Sequence, residues 1–214
     1  MEIIRLQNIL PHVFREKADL SSEVWQQTLE LSKGQTCLVE AASGKGKSTF
    51  CSYLIGYRND FGGQLLFDDR DTASFKPKDW VQVRKQEISY LFQELRLFPE
   101  LTAYENVAVK NRLTGFKTDA QIRDWFEQLQ IDDKLSTPIG QMSYGQQQRV
   151  ALIRALVQPF DFILLDEPIS HLDEANAAIM GRLLMQEARE QGAGVIMTSI
   201  GKHIALNYDK TYKL

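Results

Sequence analysis

The 214-residue chain is poor in cysteine, has no long apolar run and no low-complexity tract, and carries little net charge. Its two cysteines, Cys37 and Cys51, provide neither a disulfide framework nor a metal site by their spacing. The opening Met1-Glu2-Ile3-Ile4-Arg5 lacks the apolar core of a signal peptide. A reducing, cytoplasmic setting is expected. Apolar runs such as Phe162-Ile163-Leu164-Leu165 fall far short of the roughly 20 residues that cross a bilayer. Any membrane role must therefore come through a partner. The 25 Lys and Arg against 28 Asp and Glu leave a formal charge of -3, so no global field draws the chain to nucleic acid, and no such partner is expected. Pro-rich linkers and short-period repeats are missing too, which predicts one continuous domain over residues 1–214.

What is present is an alternation of strand and helix patterns. Ile4, Leu6 and Ile9, then Leu29 and Leu31, then Thr36-Cys37-Leu38-Val39-Glu40 read as strands. A helix is predicted over residues 48–55, and Gly62-Gly63 turns into a strand over residues 64–67. Apolar spacings of three and four predict helices over residues 101–109, 119–129 and 145–157, with Asp119 and Ser143 as candidate caps. Buried-strand runs return at residues 162–165 and 195–198, separated by a helix over residues 174–190. The strand-helix-strand order predicts an α/β fold with a parallel sheet covered by helices on both faces.

Between the third strand and the first helix lies Ala41-Ala42-Ser43-Gly44-Lys45-Gly46-Lys47-Ser48-Thr49. A Gly-rich turn followed by a helix N-terminus presents backbone N–H groups and about half a positive charge to an anion. Gly44 and Gly46 would let the backbone approach phosphate, with Lys47 expected to reach the β- and γ-phosphates and Ser48 to ligate Mg²⁺. The run Phe162-Ile163-Leu164-Leu165-Asp166-Glu167 is a buried strand ending in two carboxylates. Alternation along the strand separates their directions. Asp166 is expected to hold Mg²⁺ through its water shell, and Glu167 to polarise the water that attacks the γ-phosphate. The expected ligands are ATP and Mg²⁺.

Met142-Ser143-Tyr144-Gly145-Gln146-Gln147-Gln148-Arg149 resembles the LSGGQ-x-x-R signature of the ATP-binding cassette (ABC) ATPases and starts a predicted helix, as theirs does. The resemblance extends over nearly the whole chain. Tyr90-Leu91-Phe92-Gln93 looks like the family's Q-loop, residues 97–107 like the opening of its helical subdomain, and residues 167–173 like its Walker B exit and D-loop. It implies a phosphate-loop NTPase fold with a mostly parallel core sheet, an N-terminal antiparallel β arm, and a helical subdomain inserted at about residues 94–158. It also implies that Gln93 senses Mg²⁺ and the attacking water, and that Asp173 lies at a subunit interface. Ser143, Gly145 and Gln146 would contact the nucleotide of a second cassette subunit, giving a homo- or heterodimer around two ATP molecules. Integral-membrane transporter subunits are the further partners implied, with the cassette peripheral at the inner face of the membrane. The membrane partner's coupling helix would enter beside the Q-loop, near residues 94–104. Short stand-alone cassettes that it resembles include those of the lipoprotein-releasing and cell-division type. The chain closes at Tyr212-Lys213-Leu214, so no regulatory extension is expected.

Three places depart from the family pattern. Ala41 stands at the first glycine of the loop, and Tyr144 at the first signature glycine. Ser199 stands where the family has its switch histidine, and losing one comparable donor costs roughly 10²- to 10³-fold in rate. Ser199 is nevertheless the catalytic candidate at that position, and slow hydrolysis is one expectation it raises. His203, four residues on, takes over only if a helix follows. An adenine-stacking aromatic, worth about 1 to 3 kcal/mol, is sought after the first strand. Phe14 and His12 are the local candidates, strict counting from Leu6 gives Val13, and residues 15–23 look like an insertion that blurs this register. Trp25 reads as an anchor of the β arm. The leading functional expectation is the ATPase subunit of a membrane transporter. The other is an ATP-gated dimerisation switch with slow or vestigial hydrolysis.

Overall fold

The computed structural model describes residues 1–16, 21–169 and 172–214. Among the described residues, nine strands fall into two sheets. The antiparallel one has the order β2-β1-β4-β5, from β1 (Ile3–Pro11), β2 (Thr28–Ser32), β4 (Phe61–Phe67) and β5 (Arg70–Asp71). The parallel one has the order β6-β7-β8-β3-β9, from β3 (Thr36–Glu40), β6 (Ile88–Leu91), β7 (Phe162–Asp166), β8 (Gly194–Ser199) and β9 (Lys210–Lys213). The α-helices are α1 (Lys47–Leu54), α2 (Pro77–Gln82), α3 (Ala103–Asn111), α4 (Asp119–Gln128), α5 (Tyr144–Leu156) and α6 (Glu174–Glu190).

The pleat of β7 explains the layering. Phe162 and Leu164 join a core that also holds Ile4 and Leu6 of β1 and Phe50 and Leu54 of α1. Ile163 and Leu165 point the other way, into a second core with Trp125 and Phe126 of α4, Ile153 of α5 and Leu184 of α6. Period-two alternation thus lets one all-apolar strand serve two layers. The antiparallel sheet and α1 cover one face of the parallel sheet, and α4, α5 and α6 cover the other. Trp25 anchors the first layer, 1% exposed and edge-on to Phe50 and Tyr53.

The helices between β6 and β7 are fixed at their starts by reciprocal caps. Thr102, Thr118 and Ser143 each accept from the backbone three residues on, and the side chains of Glu105, Gln121 and Gln146 return the bond. Thr118, not Asp119, is therefore the cap of α4. Asp119 sits in its first turn and accepts from Tyr104 Oη and from Arg123 Nε. Lys117, just before α4, reaches Glu187 of α6 at 2.6 Å, and both side chains are buried. Burial pushes the Glu187 carboxyl above its usual range in spite of the lysine.

Candidate functional site

Strands β7, β8 and β3 run side by side in one direction, with Asp166 paired to Thr198 and Glu40 to Ser199. Their C-terminal ends form one edge, the usual binding edge of an open α/β sheet. Between β3 and α1 the chain turns through Gly44 and Gly46, at φ +75 and +103. Only glycine adopts these values without strain. A Cβ on Gly46 would also stand 3.2 Å from Phe14 and 3.3 Å from Trp25. Gly46 is the N-cap of α1 and offers no side-chain bond, so the first amides of the helix remain available to an anion. Ala42, Ser43, Lys45 and Ser48 are exposed along this loop, Ala41 and Thr49 are partly covered, and Arg58 Nη1 donates to Thr49 Oγ1 at 3.2 Å.

Lys47 is 5% exposed and turns back into the loop. Its Nζ lies 3.1 Å from the carbonyl of Ala41, 3.3 Å from that of Ala42 and 3.3 Å from Glu167 Oε1. Glu167 holds a left-handed backbone at φ +51, rare for a residue with a side chain, and its N–H donates to the Thr198 carbonyl at 3.2 Å. This conformation directs the two adjacent carboxylates to different work. Asp166 is 1% exposed and accepts from Thr198 Oγ1 at 2.5 Å and from Tyr90 Oη at 3.2 Å. Burial pushes the Tyr90 phenol and the Cys51 thiol beside it well above their ordinary values, so both stay protonated. Sequence reasoning missed Thr198 and the Tyr90 hydroxyl. A threonine directly after the buried run Val195-Ile196-Met197 was the available signal, because a buried hydroxyl needs a partner.

Gln93 lies two residues beyond β6 and is exposed, with its carbonyl accepting from Tyr144 Oη at 3.1 Å. Ser143 Oγ accepts from the Gln146 amide at 3.3 Å, and Gln146 Oε1 accepts from the Ser143 amide at 2.9 Å. Gly145 stands inside this capped first turn of α5. Asp173 caps α6 by accepting from the Asn176 amide, which holds its carboxyl below the usual range. Ser170 and His171, between Glu167 and this cap, lie outside the described residues.

Two expected site residues sit differently. Ser199 is fully buried, donates its hydroxyl to the Lys202 carbonyl at 2.8 Å and accepts from the Gly201 amide at 3.0 Å. Its one proton is spent inside its own turn, so it closes that turn and offers no donor to a phosphate. Phe14 is 7% exposed and packs against Trp25, behind the Gly46 turn. It supports the loop from beneath, whereas its neighbour Val13 is 65% exposed. No helix follows β8 to carry His203, whose Nδ1 lies 3.7 Å from Glu40 Oε1, beyond hydrogen-bond range.

Comparison with known proteins identifies the family. The family described as "ABC transporter" matches residues 24–170. The lipoprotein-releasing system ATP-binding protein LolD of Myxococcus xanthus is 30% identical over 219 residues, covering 100% of this chain and 96% of that protein. The ABC transporter ATP-binding protein YtrE of Bacillus subtilis is 30% identical over 181 residues, 83% of this chain and 78% of that one. Among solved structures, the ATP-binding cassette MJ0796, a dimer in a post-hydrolysis state bound to ADP and Pi, superposes with a TM-score of 0.76 at 25% identity. It covers 92% of this chain and 87% of that one. No described helix is long and apolar enough to cross a membrane. The sheet order, the phosphate-loop geometry and these matches agree: the chain belongs to the ABC transporter family, as one of its ATP-binding cassettes.

Proposed function

We propose that this chain pairs with a second cassette around two Mg-ATP, hydrolyses them, and drives integral-membrane transporter subunits from the cytoplasmic face. The observation that carries the reading is the 3.3 Å approach of Lys47 Nζ to Glu167 Oε1 at the mouth of the phosphate loop. A buried lysine held only by two carbonyls and a carboxylate is primed to exchange them for phosphate oxygens, which releases Glu167 toward an attacking water. Residues 41–49 bind the phosphates of one ATP, and Ser143, Gly145 and Gln146 of the partner cassette close on its γ-phosphate through their helix N-terminus. The dimeric MJ0796 cassette supports this pairing.

The donor set suits Mg²⁺, which takes hard oxygen ligands and keeps several waters. Ser48 Oγ would hold it directly and Gln93 Oε1 would approach it, while Asp166, already accepting from Thr198 and Tyr90, would act through water. When bound, the ion supplies charge neutralisation at the β- and γ-phosphates. All of residues 1–214 work as one cassette in this reading, with residues 94–158 as the helical insert. A groove of about 270 Å³ beside Gln93 supports the membrane partner. Tyr57, Phe92, Phe98, Val109 and Leu113 give it apolar walls, and Arg96 and Lys110 give it charge.

A second reading, an ATP-gated dimerisation switch with slow hydrolysis, is favoured by one observation: the Ser199 hydroxyl is committed to its own turn. Steady ATP turnover by the purified protein separates the two. The transporter reading expects turnover that Glu167→Gln abolishes while ATP traps dimers. ATP-dependent dimers whose turnover is no higher than that of Glu167→Gln would sink it in favour of the switch.

A further inference from the structure

Helix α5 reaches out at two separate points to one strained stretch of chain. Leu95 and Arg96 are consecutive residues in the left-handed region, at φ +57 and +50. A chain holds such a conformation only where its surroundings over-determine it. Toward the C-terminal end of α5, Arg154 donates to the carbonyls of Leu95 and Arg96, and burial lowers its guanidinium to about 10. At the N-terminal end, the Tyr144 hydroxyl donates to the Gln93 carbonyl at 3.1 Å. A glycine at 144 could make no such bond. Burial and the nearby Glu94 raise the Tyr144 phenol, which keeps it a donor. Arg96 and Arg154 also line the groove beside Gln93. A few residues thus join the groove, Gln93 and the helix end that bears Ser143.

We infer that Tyr144 is a positioning residue that ties Gln93 to the signature end of α5, so that a displacement at either is transmitted to the other within one chain. Gln93 serves the chain's own nucleotide in the proposed function and Ser143 serves the partner's, and on that reading the bond couples the two sites. Only this consequence rests on the proposed function. The tie itself rests on the geometry.

Tyr144→Phe keeps the ring and removes the hydroxyl. Hydrogen exchange of wild type and variant, each with and without ATP and magnesium chloride, reads the tie segment by segment. Without nucleotide, exchange at residues 93–97 is expected to rise roughly five-fold in the variant, the worth of one net hydrogen bond. Exchange at residues 143–147, the other end of the tie, is expected to rise with it. Equal exchange of the two proteins at 93–97 without nucleotide overturns the inference, as does a rise at 93–97 that leaves 143–147 unchanged. A rise spread evenly over residues 162–166 and 194–199 also overturns it, since that is general destabilisation. Failure of ATP to protect residues 41–49 of the wild type would refute the proposed nucleotide site instead, and the nucleotide-free comparison would still decide the tie.

Discussion

Strands β3 and β8 lie side by side and end level, Glu40 against Ser199, yet the chain leaves them in opposite ways. Beyond β3 two glycines at positive φ feed a helix whose first amides have no side-chain cap, and a buried lysine waits among carbonyls and a carboxylate. Beyond β8 a serine closes its turn on itself, and residues 201–209 run on without a helix. The first exit leaves its helix amides without a side-chain cap, and the second spends its hydroxyl internally. Adjacent ends of one sheet therefore need not share the chemistry of one site. Lys47 and Glu167 meet between the β3 and β7 exits, while the Ser199 hydroxyl is held within the turn after β8.

That contrast can be broken in order of expected effect. Lys47→Ala removes the one buried cation of the loop and is expected to lower ATP turnover by about 10²- to 10³-fold. Turnover near the wild-type value would show that the loop does not handle the reacting phosphate. Thr198→Val sharpens the boundary, because Thr198 sits on β8 but donates to Asp166 of β7. Leaving that buried oxygen short of a donor is expected to cost about 1 to 3 kcal/mol of stability, measured by urea unfolding. An unchanged midpoint would mean that Asp166 finds another donor. Ser199→Ala should cost about 1 kcal/mol in the same assay, the worth of its turn bonds, and leave the affinity for ATP unchanged. A weaker affinity, measured by calorimetry, would return Ser199 to the nucleotide.

Much of this was legible in the residues. The phosphate loop, the carboxylate pair and the capped start of α5 were readable because their chemistry admits few residue types at fixed spacing. The helix over Glu174–Glu190 followed from an uninterrupted Ala- and Leu-rich period. Strand β6 was hidden because Ser89 and Tyr90 interrupt its apolar pattern, and both find buried partners, the Ala155 carbonyl and Asp166, that only the fold supplies. Helix α2 was missed since it is six residues long with none buried, held by Asp79 and a proline at its start. Phe14 was a local candidate beside Val13, the residue that strict counting gave, and its ring packs inward behind the Gly46 turn. Ser199 shows the opposite limit. It ends β8, but the fate of its hydroxyl depends on the three residues after it.

The most direct test measures steady-state ATP turnover of wild type, Glu167→Gln and Ser199→Ala side by side. The account predicts a loss of about 10²- to 10⁴-fold for Glu167→Gln and a change within about two-fold for Ser199→Ala. A loss in Ser199→Ala as large as that in Glu167→Gln would contradict it, because the β8 exit would then share the chemistry assigned to β3 and β7.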